Sequence, residues 1–152
     1  MTFTSIAFGL VSGFVGWMLT EFLAKPFRKG IDLIADAQSL TIVYANVQAR
    51  CREVGTAGDG AIEQLGIPEE AELRLQNAEG SFREQGARLQ AFAQTDRFAA
   101  KTLKLLGVDM LAAGVALIAM SNSIGIYGVN RNRARTNLEA KLRVGDYGKS
   151  SG

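Results

Sequence analysis

The first twenty residues of the chain contain no charged side chain, and residues 2–20 offer only serine and threonine as polar groups. A membrane-spanning helix needs about 20 predominantly apolar residues, because each residue advances the helix by about 1.5 Å. Residues 2–24 supply that length, and Glu21 is the first charge, near the end where it can reach the bilayer interface. The sequence therefore predicts a transmembrane anchor over residues 1–25.

Two other interpretations of this apolar run fit less well. A signal peptide begins with basic residues and ends at a small-residue cleavage site, whereas Met1–Thr4 carry no basic side chain and no such site follows Leu19. A buried helix of a soluble domain is usually shorter and shows a polar stripe. Trp17 and Phe22 suit the aromatic belt of a bilayer interface, which favours the anchor.

Basic residues on one side of the run predict its orientation. Lys25, Arg28 and Lys29 follow the apolar residues, and no basic residue precedes them. The positive-inside rule then places the N-terminus outside and the rest of the chain in the cytoplasm, in a bacterial inner membrane. These three cations are expected to contact anionic lipid.

Small residues recur every four positions within the run, which predicts helix association. Such rows let two helices approach closely in lipid, although glycine is also frequent in membrane helices in general. The rows are Ser5, Gly9 and Gly13, and beside them Ser12 and Gly16.

Beyond the anchor, the hydrophobic spacing predicts an all-α fold, with a helical hairpin and two shorter helices. The glycine-rich stretch 55–66 separates the two arms of the hairpin. The predicted elements of this domain, residues 26–128, are the hairpin 31–52/68–94 and helices over 96–106 and 110–121, followed by a basic tail over 129–152.

One arm of the hairpin carries a heptad-like row of apolar residues, here called the seam: Leu75, Phe82, Leu89 and Phe92. We expect the seam to pack against the other arm and to serve as an interaction surface for a protein partner or a second copy of the chain.

A second uncharged run, residues 110–128, leaves a two-span alternative open. Spans over 3–24 and 107–128 would make a small channel or a transporter accessory subunit. However, Asp109 stands at the start of the run, in the position of a helix N-cap. A second crossing would also export the basic tail, against the positive-inside rule. The single span is favoured.

Composition argues against most catalytic chemistry. The chain has no histidine and one cysteine, which removes the commonest general base and any intramolecular disulfide. Cys51 lies between Arg50 and Arg52, whose charges favour a reactive thiolate, but its place on an apolar face favours an inert thiol. We predict no catalytic residue, no cofactor and no metal site.

The arginines at positions 131, 133 and 135 predict a basic surface in the tail. Arg131, Arg133 and Arg135 alternate with polar or small residues, and no aromatic residue interleaves with them. That pattern disfavours nucleic acid, which single-stranded binders hold by stacking on aromatic rings. We expect these arginines to contact anionic lipid.

Short stretches of the chain resemble an uncharacterised group of small bacterial membrane-anchored proteins. The resemblance covers much of residues 1–125 and lies in "VYANVQAR", "FREQGARLQAFAQT", "LKLLGVD" and "LIAMSNSI", after an N-terminal span. It implies a cytoplasmic helical domain and brings no activity with it. The sequence as a whole predicts a membrane-tethered, non-enzymatic interaction or assembly subunit whose partners are membrane lipid and either another protein or its own copies.

Overall fold

The computed structural model describes residues 3–54 and 61–142, of which residues 3–7 are described by their backbone alone. The elements in chain order are α1 (Phe3–Leu19), a π-helical turn (Thr20–Ala24), α2 (Lys25–Val43), β1 (Cys51–Val54), β2 (Ala61–Gln64), α3 (Glu69–Thr95), α4 (Arg97–Leu105), α5 (Met110–Ser123), β3 (Ile126–Tyr127) and α6 (Val129–Leu142).

The chain is mostly helical, and a small three-stranded sheet corrects the expectation of an all-α fold. β1 lies in the middle of the sheet. Cys51 pairs with Gln64 in antiparallel β2 and with Ile126 in parallel β3. The sheet therefore joins two strands that are neighbours in sequence to a third strand from a distant part of the chain.

The first arm of the predicted hairpin differs from the expected helix over 31–52. α2 begins at Lys25, directly after the π turn, and ends at Val43. Val47 and Ala49 beyond it are buried although their backbone is not helical. The apolar spacing thus indicates the burial of Val47 correctly, while the backbone leaves the helix in a turn before β1. The bounds of α3, α4 and α5 lie within two residues of the predicted ones.

The segment from residue 129, expected to be a basic tail, forms helix α6 as far as Leu142. Leu138 and Leu142 are buried in the core. Side chains from distant elements satisfy both ends of the helix. Glu53 in β1 accepts a hydrogen bond from the Val129 backbone N–H (2.9 Å), and Gln38 in α2 donates to the Leu142 carbonyl (2.8 Å). These contacts fix α6 on the domain.

The closest packing in the domain joins α3 to α5, at Gly86 and Gly114. A Cβ atom built on Gly86 would lie 2.8 Å from the Gly114 carbonyl oxygen, and one built on Gly114 would lie 2.7 Å from the Gly86 carbonyl oxygen. The two backbones are therefore in direct contact. Nearby, the buried amide of Gln85 donates to the Leu33 carbonyl of α2 (2.8 Å), so α3 is held from two sides.

We predict that Gly114→Ala destabilises the domain by about 1–3 kcal/mol, since the methyl group would meet the Gly86 carbonyl oxygen and the Gln90 side chain, each 2.7 Å away, and the backbone oxygen cannot move aside as a side chain can. The measurement is urea unfolding of the full chain followed by far-UV circular dichroism.

Gly80→Ala in α3 is the matched control, because a Cβ there would meet no group within 4 Å among the described residues. This variant is expected to gain about 0.5–1 kcal/mol from the removal of a helical glycine. Equal shifts of the two variants in the same direction would contradict a tight crossing at Gly114.

Candidate functional site

Helix α1 presents an apolar surface that the other described residues do not cover. Every described side chain from Phe8 to Leu19 is exposed, and the main contacts of the helix are with the π turn that follows it. Phe14 and Trp17 pack against one another, with ring centroids 5.9 Å apart. Apolar side chains exposed on all sides of a helix are typical of a surface whose cover lies outside the chain.

The predicted rows of small residues lie on this exposed helix. A Cβ added at Gly9, Gly13 or Gly16 would meet no other group within 4 Å among the described residues. The Ser12 hydroxyl donates to the Gly9 carbonyl (3.1 Å), so its polar group is satisfied within the helix. Ser5 lies in α1, but its side chain is outside the described part. The rows are therefore open to a second helix.

A π turn joins α1 to α2 without a break in the helical path. The Lys25 backbone N–H bonds to the Thr20 carbonyl, five residues back. The widened turn directly precedes Pro26, which has no N–H to donate and whose ring clashes with the carbonyl four residues earlier in a regular helix. The turn accommodates the proline, so α1 continues into α2.

Taken singly, none of the helices in residues 3–54 and 61–142 combines the length and the apolar composition of a membrane crossing. α4 and α5 satisfy both conditions only as a pair, and the chain bends by 87° between them. α5 lies in the core, with Ala113 and Leu117 fully buried.

Three basic residues follow the apolar helix and form what is called here the basic collar: Lys25, Arg28 and Lys29. All three are exposed. Lys25 forms an ion pair with Glu21 one turn earlier, and the Lys29 ammonium lies 6.0 Å from the centre of the Phe92 ring. The collar therefore places positive charge where α1 meets the domain.

The arginines of α6 occupy different environments. The Arg131 guanidinium donates to the Val47 carbonyl (2.8 Å) and lies 4.9 Å from the centre of the Tyr127 ring. Its partial burial lowers the pKa of Arg131 below the usual value. Arg135 forms an ion pair with Glu139 (2.8 Å), whereas Arg133 is exposed. Arg131 thus holds α6 to the domain.

The α6 arginines also lie far from the basic collar. α6 runs alongside α2 in the opposite direction, and Arg135 shares a pocket with Thr41 near the end of α2. The helix from Lys25 to Thr41 extends roughly 24 Å at 1.5 Å per residue. This separation argues against the expectation that both basic groups contact one lipid surface.

All four residues of the seam are buried inside the fold, each with 2% or less of its surface exposed. Phe82 packs against Tyr44 at the end of α2, with ring centroids 5.9 Å apart. A second chain can reach the seam only if the domain opens. The seam is therefore an internal packing surface, and the expectation that it also contacts a partner has no exposed surface to support it.

The remaining candidates form no reactive constellation within the described part of the chain. Cys51 is half-buried in β1. The neighbouring Arg50 guanidinium is engaged by Glu72 (3.0 Å) and Glu79 (3.1 Å). No group of three or more acidic, cysteine or histidine side chains is arranged to hold a metal ion in residues 3–54 and 61–142.

The sequence analysis missed the outer surface of α4. Phe98 and Leu105 are strongly exposed, whereas Ala99 and Leu103 on the other side of the helix are buried. The signal was the spacing of seven residues between Phe98 and Leu105, which puts them on one face two turns apart.

Comparison of the chain with protein-family models, with curated proteins and with solved structures gives no match.

Asp109 caps α5 and carries a charge that is bonded from two directions. One carboxylate oxygen accepts a hydrogen bond from the Ala112 backbone N–H (3.1 Å), and the other lies 2.8 Å from the Lys104 ammonium. The hydrogen bond from Lys104, followed by that from Ala112, lowers the pKa of Asp109 below its usual value. Folding is therefore linked to ionisation of this group.

The charge of Asp109 is expected to make a pH-dependent contribution to stability. Because its pKa is lower in the folded state, the contribution is fully present above the unfolded-state value of about 3.9 and is lost as the pH falls through the folded-state pKa. Asp109→Asn keeps a capping oxygen and removes the charge, so it should be less stable than the native chain at neutral pH and equally stable in acid. Urea unfolding across that range measures the difference.

Asp36→Asn is the control, since Asp36 is an exposed residue within α2. A gap between the native chain and Asp109→Asn that stays constant into acid would contradict the linkage. Asp109→Ala removes the cap as well and should be less stable than Asp109→Asn by about 1 kcal/mol at every pH.

Proposed function

We propose that the chain is a membrane-tethered, non-enzymatic interaction or assembly subunit. Its N-terminal helix is the anchor, and its helical domain lies at the cytoplasmic face of a bacterial inner membrane. The resemblance to small bacterial membrane-anchored proteins agrees with this arrangement. Membrane lipid is one partner, and a second copy of the chain is the other.

The observation that carries the proposal is the contrast between α1 and the rest of the chain. α2 to α6 share a core that includes fully buried Ala37, Leu75, Leu117 and Leu138. In α1, by contrast, Phe8, Phe14 and other large apolar side chains are exposed. Such a surface is costly in water and stable among lipid chains.

Length supports the same interpretation. The 17 residues of α1 continue into the 5 residues of the π turn, which together extend roughly 33 Å at about 1.5 Å per residue. That is close to the thickness of the hydrocarbon core of a bilayer, about 30 Å. Glu21 and Lys25 then lie at the interface, where an ion pair one turn apart is tolerated.

The basic collar supports the proposed orientation. Lys25, Arg28 and Lys29 are exposed where α1 joins the domain. Positive charges next to a span are retained on the cytoplasmic side, so the domain that follows them is placed in the cytoplasm.

The two-span alternative receives less support. α5 has 14 residues, or about 21 Å at 1.5 Å per residue, which is short for a crossing. Its small residues are used within the domain, because Gly114 contacts the backbone of α3. α3 in turn exposes charged side chains such as Arg83 and Glu84, which require water.

The anchor is tested by placing charges in α1. Val11→Asp combined with Phe14→Asp should move the full chain from the membrane fraction to the soluble fraction or to degradation, since each charge near the centre of a span costs about 2.5–3.5 kcal/mol. Fractionation of cells expressing the variant, with alkaline extraction of the membranes, measures the shift.

Ile42→Asp is the matched control, because Ile42 is an equally exposed apolar residue of α2 outside the proposed span, with 72% of its surface accessible. It should leave the chain in the membrane fraction. A double α1 variant that resists extraction as the native chain does would contradict the anchor.

Self-association is tested at the row of glycines. Gly13→Ile should weaken pairing of labelled copies in bilayers, because only close backbone contact favours helix association in lipid. The expected loss is about 1–2 kcal/mol, roughly one factor of ten in the dimer constant. Energy transfer between copies that carry donor and acceptor labels measures it.

Val11→Ile is the control, because Val11 lies on the other side of α1 and is also exposed. A Cβ at Gly13 meets no other group within 4 Å among the described residues, so Gly13→Ile leaves the fold of a single copy undisturbed. Equal energy transfer in the two variants would show that the glycines take no part in pairing.

A further inference from the structure

We propose that α4 is a second membrane contact, which lies on the anionic lipid surface beside the anchor and inserts Phe98, Leu105 and Leu106 into it. The inference rests on the proposed function, since it requires that α1 holds the domain at a bilayer. It assigns a role to the outer surface of α4, which the described part of the chain leaves exposed.

The first argument is position. α4 packs against the beginning of α2, close to where α2 leaves the π turn. A Cβ built on Gly30 would lie 2.5 Å from the Leu103 side chain of α4 and 3.0 Å from the Phe92 ring. Gly30 is one residue beyond the basic collar. Because the basic collar lies at the end of the anchor, α4 is close to the bilayer interface.

The second argument is direction. The chain turns by 87° between α4 and α5. α5 packs along α3, and α3 packs along α2, with Gln85 bonded to Leu33 and Tyr44 beside Phe82. α4 thus crosses the end of the bundle from which α1 emerges. A helix across this end lies along the bilayer surface when α1 passes through the bilayer.

The third argument is the outer surface of the helix. Phe98 exposes 67% of its surface, Leu105 exposes 89% and Leu106 exposes 59%. The inner side of α4 is covered, since Ala99 and Leu103 are buried in the core. Apolar residues of α4 therefore lie both on its covered side and on its exposed side. Membrane-surface helices show this combination of apolar side chains and basic neighbours.

The basic residues around this surface favour anionic lipid as the partner that covers it. Arg97, Lys101 and Lys104 lie on α4 and are exposed, and Arg28 and Lys29 of the basic collar are close by. Lys104 also pairs with Asp109 (2.8 Å). Basic residues around exposed apolar side chains match an anionic lipid surface, where the ammonium and guanidinium groups meet phosphate while the apolar groups insert.

The test uses the full chain in vesicles of phosphatidylcholine and phosphatidylglycerol whose acyl chains carry bromine near the headgroup. In a Cys51→Ser background, single cysteines at Leu105→Cys, Val15→Cys and Arg133→Cys are labelled with an environment-sensitive fluorophore. Bromine quenches the label only when it enters the bilayer. We expect loss of emission at position 105 and at position 15, in the anchor, and none at position 133, which lies at the far end of the bundle.

The charge requirement is tested in the same vesicles. Arg97→Gln combined with Lys101→Gln should reduce quenching at position 105, as should vesicles of phosphatidylcholine alone. Gln76→Ala, an exposed change in α3, should leave quenching unchanged. Quenching at position 105 that is insensitive to these charges would overturn an anionic surface as the occupant.

The outcomes separate this inference from the proposed function. Quenching at position 15 without quenching at position 105 would overturn the docking of α4 and leave the anchor standing. Absence of quenching at both positions would overturn the anchor and the docking together. A label at position 105 whose emission responds to protein concentration but not to bromine would assign the surface to a second protein, which overturns a lipid contact.

Discussion

The contact between Gly86 and Gly114 is the constraint on which the rest of the domain depends. Because neither residue has a side chain, α5 approaches α3 until backbone meets backbone, and the apolar residues on both sides of that point interdigitate. α5 is apolar on most of its surface and needs cover from several directions. Once α3 covers one side, β3 and α6, which follow α5 in sequence, are placed beside β1 and α2. A larger residue at either position would displace all of these elements.

Local chemistry explains why α3, α4 and α5 could be predicted from the sequence. Pro68 precedes the first residue of α3, Gly107 ends the segment after α4 with a φ of 94°, and Asp109 caps α5. Each of these signals acts over a few residues. The heptad-like spacing likewise identified Leu75 and its neighbours as apolar positions on one face, but the element that covers them could not be deduced, because a glycine within a helix gives no sign of what it contacts.

The sheet and α6 could not be predicted, because distant residues determine both. β1 has four residues with two adjacent charges, Arg52 and Glu53, and β3 has only two residues, so neither shows an alternation of apolar and polar residues. α6 is polar along most of its length, and the groups that hold it come from elsewhere, with Glu53 bonded to a backbone N–H 76 residues away. For the candidate site, composition identified α1 and the basic collar. It missed the outer surface of α4, whose importance depends on its position at the end of the bundle.

The unbroken helical path from α1 through the π turn into α2 has a mechanical consequence. No loop separates α1 from α2, so a change in the orientation of α1 is transmitted to the domain. A change in the tilt of α1 therefore displaces the sheet, which lies at the opposite end of the bundle. Rotation of α1 about its own axis likewise changes the direction, within the plane of the membrane, in which the sheet and α6 face. Two copies joined along the glycine rows would hold their domains at a defined mutual angle, which a flexible tether could not impose.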